Sequence, residues 1–169
     1  MAGDETPARS LRDVHELWWR GTPATTLDLR RSRDLECGNL MCDVPRGCPC
    51  RFAVFAERNR DALRGVRRLV LADNDLRALP TAALSALPAL RALDASNNGL
   101  TALPRELASA APLVEELDLS RNAELASPAV ALLSLPRLAR VFVEGLPAHA
   151  IRELEASRER RFEVVGGKP

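Results

Sequence analysis

The chain has 169 residues, of which 46% are hydrophobic and 28% are charged, a composition typical of one folded domain with its own core. The 24 basic and 23 acidic residues leave a formal net charge of +1, so charge alone is not expected to draw the molecule to nucleic acid or anionic lipid. No apolar run approaches the roughly 18 residues of a membrane-spanning helix, and no transmembrane segment is predicted.

Residues 1–26 are predicted to form a frayed tail followed by a capping helix. Ser10 is suited to cap a helix that begins at the next residue, because apolar side chains then recur at helical spacing: Leu11, Val14, Leu17 and Trp18. Such a helix covers apolar side chains that the first coil of a stacked structure exposes. The alternative is that Trp18 and Trp19 form an exposed aromatic contact for a partner.

The N-terminal segment also bears on the compartment. Charges are spread through it and no apolar stretch typical of a secretory signal is present. An intracellular, cytoplasmic location is therefore expected if Met1 is the native start, and an extracellular one if it is not.

Residues 27–65 are predicted to hold a degenerate first repeat, with an insertion that carries all four cysteines. Cys37, Cys42, Cys48 and Cys50 follow the spacing C-x4-C-x5-C-x-C. A zinc ion held by four thiolates is one interpretation, although the C-x2-C pairs of common zinc sites are absent. A disulfide pair and free thiols are the two others. In each case the loop is expected to be structural and not catalytic.

Residues 66–146 repeat themselves with a period of 24 residues. Leu69, Leu93, Leu117 and Val141 are equally spaced, and one further step lands on Val165. Around them recurs the pattern L-x-x-L-x-L-x-x-N-x-L, with one asparagine in register in each of three repeats: Asn74, Asn98 and Asn122. Each asparagine falls where the chain turns away from a short predicted strand. There an amide can satisfy backbone N–H and C=O groups of adjacent coils, so a structural ladder is predicted.

This pattern resembles the 24-residue class of the leucine-rich-repeat family, from about Leu27 to Val165. The resemblance implies an α/β solenoid: curved, with a parallel β-sheet on the concave face, helical or 3-10 segments on the convex face, and caps at both ends. A short likeness to small intracellular members lies at Val143–Gly145 and Arg152–Glu155. The family implies protein binding, chiefly through the concave face, and its members are rarely enzymes by themselves. A disulfide cap near the first repeat is a feature of secreted members.

The register predicts which strand residues point away from the core. They are Asp28, Arg30, Arg68, Val70, Ala72, Ala92, Asp94, Ser96, Glu116, Asp118, Ser120, Arg140, Phe142 and Glu144. A partner-binding surface is predicted from eight of them: Arg68, Asp94, Ser96, Glu116, Asp118, Arg140, Phe142 and Glu144. We expect a basic partner segment over Asp94 and Asp118, with an apolar group near an exposed Phe142. The alternative is that the two carboxylates only keep the sheet face hydrated.

Residues 147–169 are predicted to form the second cap: a helix over Ala150–Arg161, a last strand at Phe162–Val165 and a frayed tail. The two histidines, His15 and His149, lie near opposite ends of the chain, and no phosphate-binding or nucleophile motif occurs. No enzymatic activity is therefore expected, and zinc at the four cysteines is the one cofactor considered.

The sequence thus predicts a non-enzymatic protein-interaction module, or a structural subunit or adaptor of a larger complex. An extracellular recognition domain with a disulfide N-terminal cap is the alternative. A lesser alternative is contact of the arginine cluster between Arg58 and Arg68 with RNA or an anionic surface. Glu57 directly before that run, Asp61 within it and the lack of interleaved aromatic residues argue against nucleic acid as a partner.

Overall fold

The computed structural model describes residues 6–36, 48–157 and 161–166. Its framework is a single sheet of seven parallel strands, in which each strand pairs with the next along the chain. The strands are β1 (Pro7–Ala8), β2 (Thr26–Asp28), β3 (Arg68–Val70), β4 (Ala92–Asp94), β5 (Glu116–Asp118), β6 (Arg140–Phe142) and β7 (Glu163–Val165). Parallel neighbours joined in chain order require a return segment after every strand, so the chain coils as the predicted solenoid does.

The return segments are short helices that stack beside the sheet. They are α1 (Leu11–Trp19), α2 (Cys50–Arg58), α3 (Arg60–Leu63), α4 (Thr81–Leu84), α5 (Leu107–Ala110), α6 (Ala129–Leu133) and α7 (Ala148–Ala156), with a 3-10 turn at Arg33–Leu35. Helix α2 packs on α4, α4 on α5, and α6 on α7. Among the described residues, none of these helices has the length and apolarity needed to cross a bilayer.

The leucine columns set the register of the sheet. Leu27 pairs with Leu69, which continues through Leu93 and Leu117 to Val141, and each of these side chains is 2% exposed or less. One coil cannot bury its own leucine face, so neighbouring coils bury it by stacking. This column is therefore the sheet side of a larger core, to which the helices contribute residues such as Phe52, Leu84 and Leu132.

The last coil departs from the 24-residue period. The sequence placed Val165 in the leucine column, but Val164 is the residue that pairs with Val141, while Val165 pairs with Phe142. This prediction was wrong by one residue, because α7 replaces the short return segment of the earlier coils and the path through it is one residue shorter.

The asparagines lie in the turns that follow the strands. The Asn74 amide donates to the carbonyls of Leu29 (2.8 Å) and Leu71 (2.9 Å), and its oxygen accepts the Ser32 N–H. Asn98 and Asn122 repeat this arrangement one and two coils further on. Each amide thus joins its own coil to the preceding one, and the turns stay hydrogen-bonded although they lie against the core.

The residue just before each ladder position adopts a left-handed conformation. The φ angles are 49° at Arg31, 60° at Asp73, 49° at Asn97, 60° at Arg121 and 71° at Gly145. Only Gly145 lacks a Cβ, so the other four bear a small steric cost. The repetition of this angle at one place in every coil gives each strand the same exit direction.

The two ends differ slightly from expectation. Ser10 caps α1 by accepting the Asp13 N–H, and Leu11 and Val14 are buried, as predicted. The segment that follows the cysteine insertion is helical and is interrupted at Asn59, which separates α2 from α3. The C-terminal helix begins at Ala148, directly after Pro147, and ends at Ala156; residues 158–160 of the predicted helix lie outside the described residues.

Candidate functional site

The concave face is built from side chains that alternate with the buried leucines. Because successive strand residues point to opposite faces, the strand register aligns them in rows across the sheet. One row contains Arg68, Ala92, Glu116 and Arg140, and the next contains Val70, Asp94, Asp118 and Phe142. Paired strands lie about 4.8 Å apart, so residues far apart in sequence become close neighbours.

The N-terminal half of this face is covered by its own side chains. Val70 and Ala72 face this side but are only 4% exposed each. The Arg30 guanidinium reaches across β3 to the Asp94 carboxylate, with 3.9 Å between Nη2 and Oδ2. A long side chain that crosses a strand shields the small residues beneath it. On β3 only Arg68 remains exposed, and most of the face open to a partner lies on β4 and the strands that follow it.

A small hollow marks the centre of the open part. It has a volume of about 150 Å³ and is lined by Arg68, Ala92, Leu93, Asp94, Glu116, Asp118 and Phe142. Five of the eight residues predicted to bind a partner thus meet at one place. Ser96 and Glu144, with Asp118, line an adjoining hollow of about 290 Å³. Arg140 lies beside the first hollow, where it forms an ion pair with Glu116.

The three carboxylates at the centre are not equivalent. Asp94 is close to Arg30 and its Oδ1 accepts hydrogen bonds from the Ser96 backbone N–H (3.0 Å) and hydroxyl (2.7 Å). Glu116 is paired with Arg140. The Oδ1 atom of Asp118 accepts the Ser120 N–H at 2.9 Å, and no salt bridge to Asp118 occurs within the described part of the chain. Asp118 is therefore the carboxylate with most of its charge available.

Phe142 is less open than predicted. The sequence placed it as an exposed aromatic residue, but its side chain is half-buried in the sheet face. The reason is the register: Asp118 on β5 and Val165 on β7 flank it on both sides. Part of the ring still lines the central hollow, so Phe142 forms an apolar wall there and does not project.

A larger groove runs along the rim where the chain leaves the strands. It has a volume of about 590 Å³, and its lining includes Arg31, Asp73 and Asn97. Arg31 Nε lies 3.3 Å from Asp73 Oδ2, and the Asn97 amide donates to Asp73. None of these three residues was among those predicted to bind a partner. The available signal was their common place, one position before the ladder position of each coil.

The structure describes two of the four cysteines. The Sγ atoms of Cys48 and Cys50 are 3.0 Å apart, longer than the roughly 2.05 Å of a disulfide bond. Cys48 is buried and its backbone N–H donates to the Leu35 carbonyl, while Cys50 is exposed at the start of α2. Cys37 and Cys42 lie outside the described residues. Within residues 6–36, 48–157 and 161–166, no three His, Cys, Asp or Glu side chains are grouped to hold a metal ion.

Comparison with known proteins supports the class that the fold defines. Residues 64–123 match the family model described as leucine rich repeat. Residues 64–123 thus match leucine-rich repeats, and the coiled stack of parallel strands continues the same architecture on both sides of them, which supports the interpretation as a leucine-rich-repeat protein. No match was found among curated protein sequences.

Solved structures of two proteins show the same architecture. Human trophoblast glycoprotein, also called Wnt-activated inhibitory factor 1, is 29% identical, with a TM-score of 0.54 over 85% of this chain and 51% of its own. A leucine-rich-repeat protein of Leptospira interrogans is 16% identical, with a TM-score of 0.53 over 95% of this chain and 40% of its own. The chain thus spans about half the length of these proteins or less, and the second likeness concerns the fold alone.

Proposed function

We propose that this chain is a non-enzymatic binding module that holds a basic segment of a partner protein on its concave face. Leucine-rich-repeat domains in general bind proteins. The observation that carries the finer proposal is the central hollow, where Asp94, Glu116 and Asp118 surround a space of about 150 Å³ beside Phe142. A lysine or arginine of the partner fits this arrangement, because its charge meets the Asp118 carboxylate and its aliphatic stem meets the ring.

The charges around the hollow support one orientation of the partner. Arg68 lines the β3 side of the hollow and forms no salt bridge within the described residues. The Arg140–Glu116 pair lies on the β6 side. A cationic side chain is therefore repelled by Arg68 and is drawn toward the Asp118 end of the hollow. An adaptor or subunit role in a larger assembly follows if the segment belongs to a stable complex.

Replacing Asp94 and Asp118 together with asparagine tests the proposal without breaking the local turns. The Oδ1 atoms of both residues accept backbone N–H groups, and an asparagine oxygen can accept the same bonds. The variant and the parent are compared on an array of immobilised nonapeptides of varied charge. We expect the parent to select peptides with lysine or arginine beside an apolar residue, and the Asp94→Asn/Asp118→Asn protein to lose this selection.

The matched control places the same charge change elsewhere. Glu57 on α2 and Glu155 on α7 are both exposed and lie off the sheet face. Glu57→Gln with Glu155→Gln should leave the selection intact. If both double variants weaken binding equally, the effect is one of net charge and the concave face is not the site. If neither weakens it, the acidic hollow has no part in binding.

Extracellular recognition is the second candidate function. The likeness to human trophoblast glycoprotein at 29% identity favours it, because that protein is an extracellular leucine-rich-repeat protein. We propose that the cysteine insertion stabilises the first coil in either case and has no catalytic role. A disulfide among the four cysteines accompanies the extracellular function, whereas zinc or thiols accompany the intracellular one. Mass spectrometry under non-reducing conditions identifies a disulfide, and metal analysis of protein purified without chelator separates zinc from thiols.

A further inference from the structure

The fold brings α1, the helix that ends in two tryptophans, into contact with the helix that carries Arg60. In the sequence these groups are far apart, and the lack of aromatic residues among the arginines argued against nucleic acid. In the structure α1 packs against α3. The loop that follows α1 approaches Gly65 so closely that a Cβ there would lie 3.4 Å from the Pro23 Cβ. Two residues further along both segments, the Arg67 N–H donates to the Thr25 carbonyl at 2.7 Å.

The tryptophans at the end of α1 are unusually open. Trp19 is 78% exposed and Trp18 is 40% exposed. The Trp18 ring lies near His15, with centroids 6.2 Å apart and the planes inclined by 51°. At 78% exposure, the Trp19 indole has a broad free surface on which a planar ring can stack. The capping role of α1 accounts for the burial of Leu11 and Val14. It does not explain why the Trp19 indole is exposed to solvent.

Several arginines of α1, α3 and their following loops have no acidic partner within the described part of the chain. Glu16 forms an ion pair with Arg12 (2.8 Å between Oε1 and Nε), and Asp61 forms one with Arg64 (3.1 Å between Oδ1 and Nε). Three exposed arginines of the same region form no salt bridge within the described part of the chain: Arg20, Arg60 and Arg67. Arg68, by contrast, lines the concave hollow. We call Trp18, Trp19, Arg20, Arg60 and Arg67 the tryptophan–arginine edge.

We propose that the tryptophan–arginine edge binds single-stranded nucleic acid, with a base stacked on Trp19 and phosphates held by the arginines. Indole stacking and guanidinium contacts to the backbone are the two elements of sequence-tolerant single-strand binding. A lipid surface suits the edge less well, because insertion needs a continuous apolar area. Among the described residues, the other large exposed apolar side chains are Val54 on α2 and Val130 on α6. This site is separate from the concave hollow and does not depend on the protein-binding proposal.

The test uses the full chain and a fluorescein-labelled oligouridylate of about twelve nucleotides, a length within the range that single-strand-binding modules cover. Fluorescence anisotropy at low salt measures affinity, and quenching of tryptophan fluorescence reports stacking. We expect binding in the micromolar range that weakens as salt rises. Trp19→Ala should weaken it by about tenfold. Arg20→Glu with Arg67→Glu should reduce the slope of log K against log salt by about 1.4, since each phosphate contact contributes about 0.7.

Matched controls separate this site from charge and from folding. Arg137→Glu with Arg152→Glu makes the same charge change at exposed positions near the other end of the solenoid and should leave affinity within about twofold if nonspecific charge is weak. Circular dichroism verifies that every variant is folded. Three results overturn the proposal: no anisotropy change at about 100 μM protein, equal displacement by inorganic polyphosphate without any quenching, or binding to vesicles of phosphatidylserine and phosphatidylcholine in place of the oligonucleotide.

Discussion

Adjacent asparagines, Asn97 and Asn98, allow the ladder to be tested against a nearly identical control. The Asn98 oxygen accepts the backbone N–H groups of Asn74 and Leu76, both at 3.0 Å. Its amide donates to three carbonyls, those of Leu71, Ala95 and Ser96. Asn97 instead donates to Asp73 at the exposed rim. One residue thus joins coils through buried backbone groups, and its neighbour does not.

The cost of Asn98→Ala follows from which partners lose their only hydrogen bond. The carbonyls of Leu71 and Ala95 also accept from the asparagines of adjacent coils. Within the described part of the chain, the N–H groups of Asn74 and Leu76 have no acceptor other than Asn98, and both residues are buried. Each unsatisfied buried group costs about 1–3 kcal/mol, so we expect Asn98→Ala to lower the free energy of unfolding by about 3 kcal/mol.

The control substitution is Asn97→Gly. It removes one exposed hydrogen bond but places glycine at a φ of 49°, a conformation that costs other residues about 1 kcal/mol. The lost hydrogen bond and the relieved backbone strain offset one another, so the free energy of unfolding should change by no more than about 0.5 kcal/mol.

Urea denaturation measures both variants. Far-ultraviolet circular dichroism and tryptophan fluorescence should give coincident transitions, which checks that the coils unfold together. With a slope of about 2 kcal/mol per molar urea, Asn98→Ala should lower the midpoint by about 1.5 M. Equal midpoints for Asn98→Ala and Asn97→Gly would refute the assignment of the ladder bonds.

Two further substitutions, each with a control, test the turn at Gly145 and the anchoring of α2 in the core by thermal denaturation. Gly145→Ala should destabilise by about 1–2 kcal/mol because its φ is 71°; the nearest atom to an added Cβ is 3.6 Å away, so crowding is not the cause. Gly99→Ala, where the nearest atom is 3.7 Å away and φ is not left-handed, is the control and should be milder. Phe52→Ala should cost about 3–5 kcal/mol, since Phe52 is fully buried, whereas the exposed Val54 on the same helix should tolerate alanine. A small loss at Phe52 would show that α2 is not anchored in the core.

The fold could be predicted from the sequence because the residues that set the 24-residue period all occupy the same buried environment. A leucine displaced from its column loses its burial in two neighbouring coils, so equal spacing in sequence becomes equal position in the stack. Where the chain abandons the repeat, this logic weakens. The one-residue shift at Val164 arises in the coil closed by α7, and no leucine spacing there marks the change.

The concave face was less predictable because its exposure depends on long side chains. The alternation along the strand predicts that Val70 points to the concave face, but it does not predict that Val70 is buried there. The Arg30 side chain, one coil away, reaches across to Asp94 and shields Val70. In the same way, the half-burial of Phe142 results from neighbours supplied by β5 and β7. The approach of α1, which ends in Trp19, to the arginine-rich segment depends on how this helix and its following loop pack on the next coil. Periodicity within one repeat contains none of these contacts.

The open part of the concave face constrains how a partner can bind. Apart from Arg68 it extends over three strands, β4 to β6, because Val70 and Ala72 are buried where Arg30 reaches across β3 to Asp94. At about 4.8 Å between strands, this is roughly 10 Å from the first to the last, a span that three or four residues of an extended peptide cross. So short a contact has few side chains from which to gain affinity, and an isolated segment should bind weakly. A tight partner must therefore also engage a second surface, and the polar rim at Asp73 and Asn97 borders the hollow that Glu144 lines.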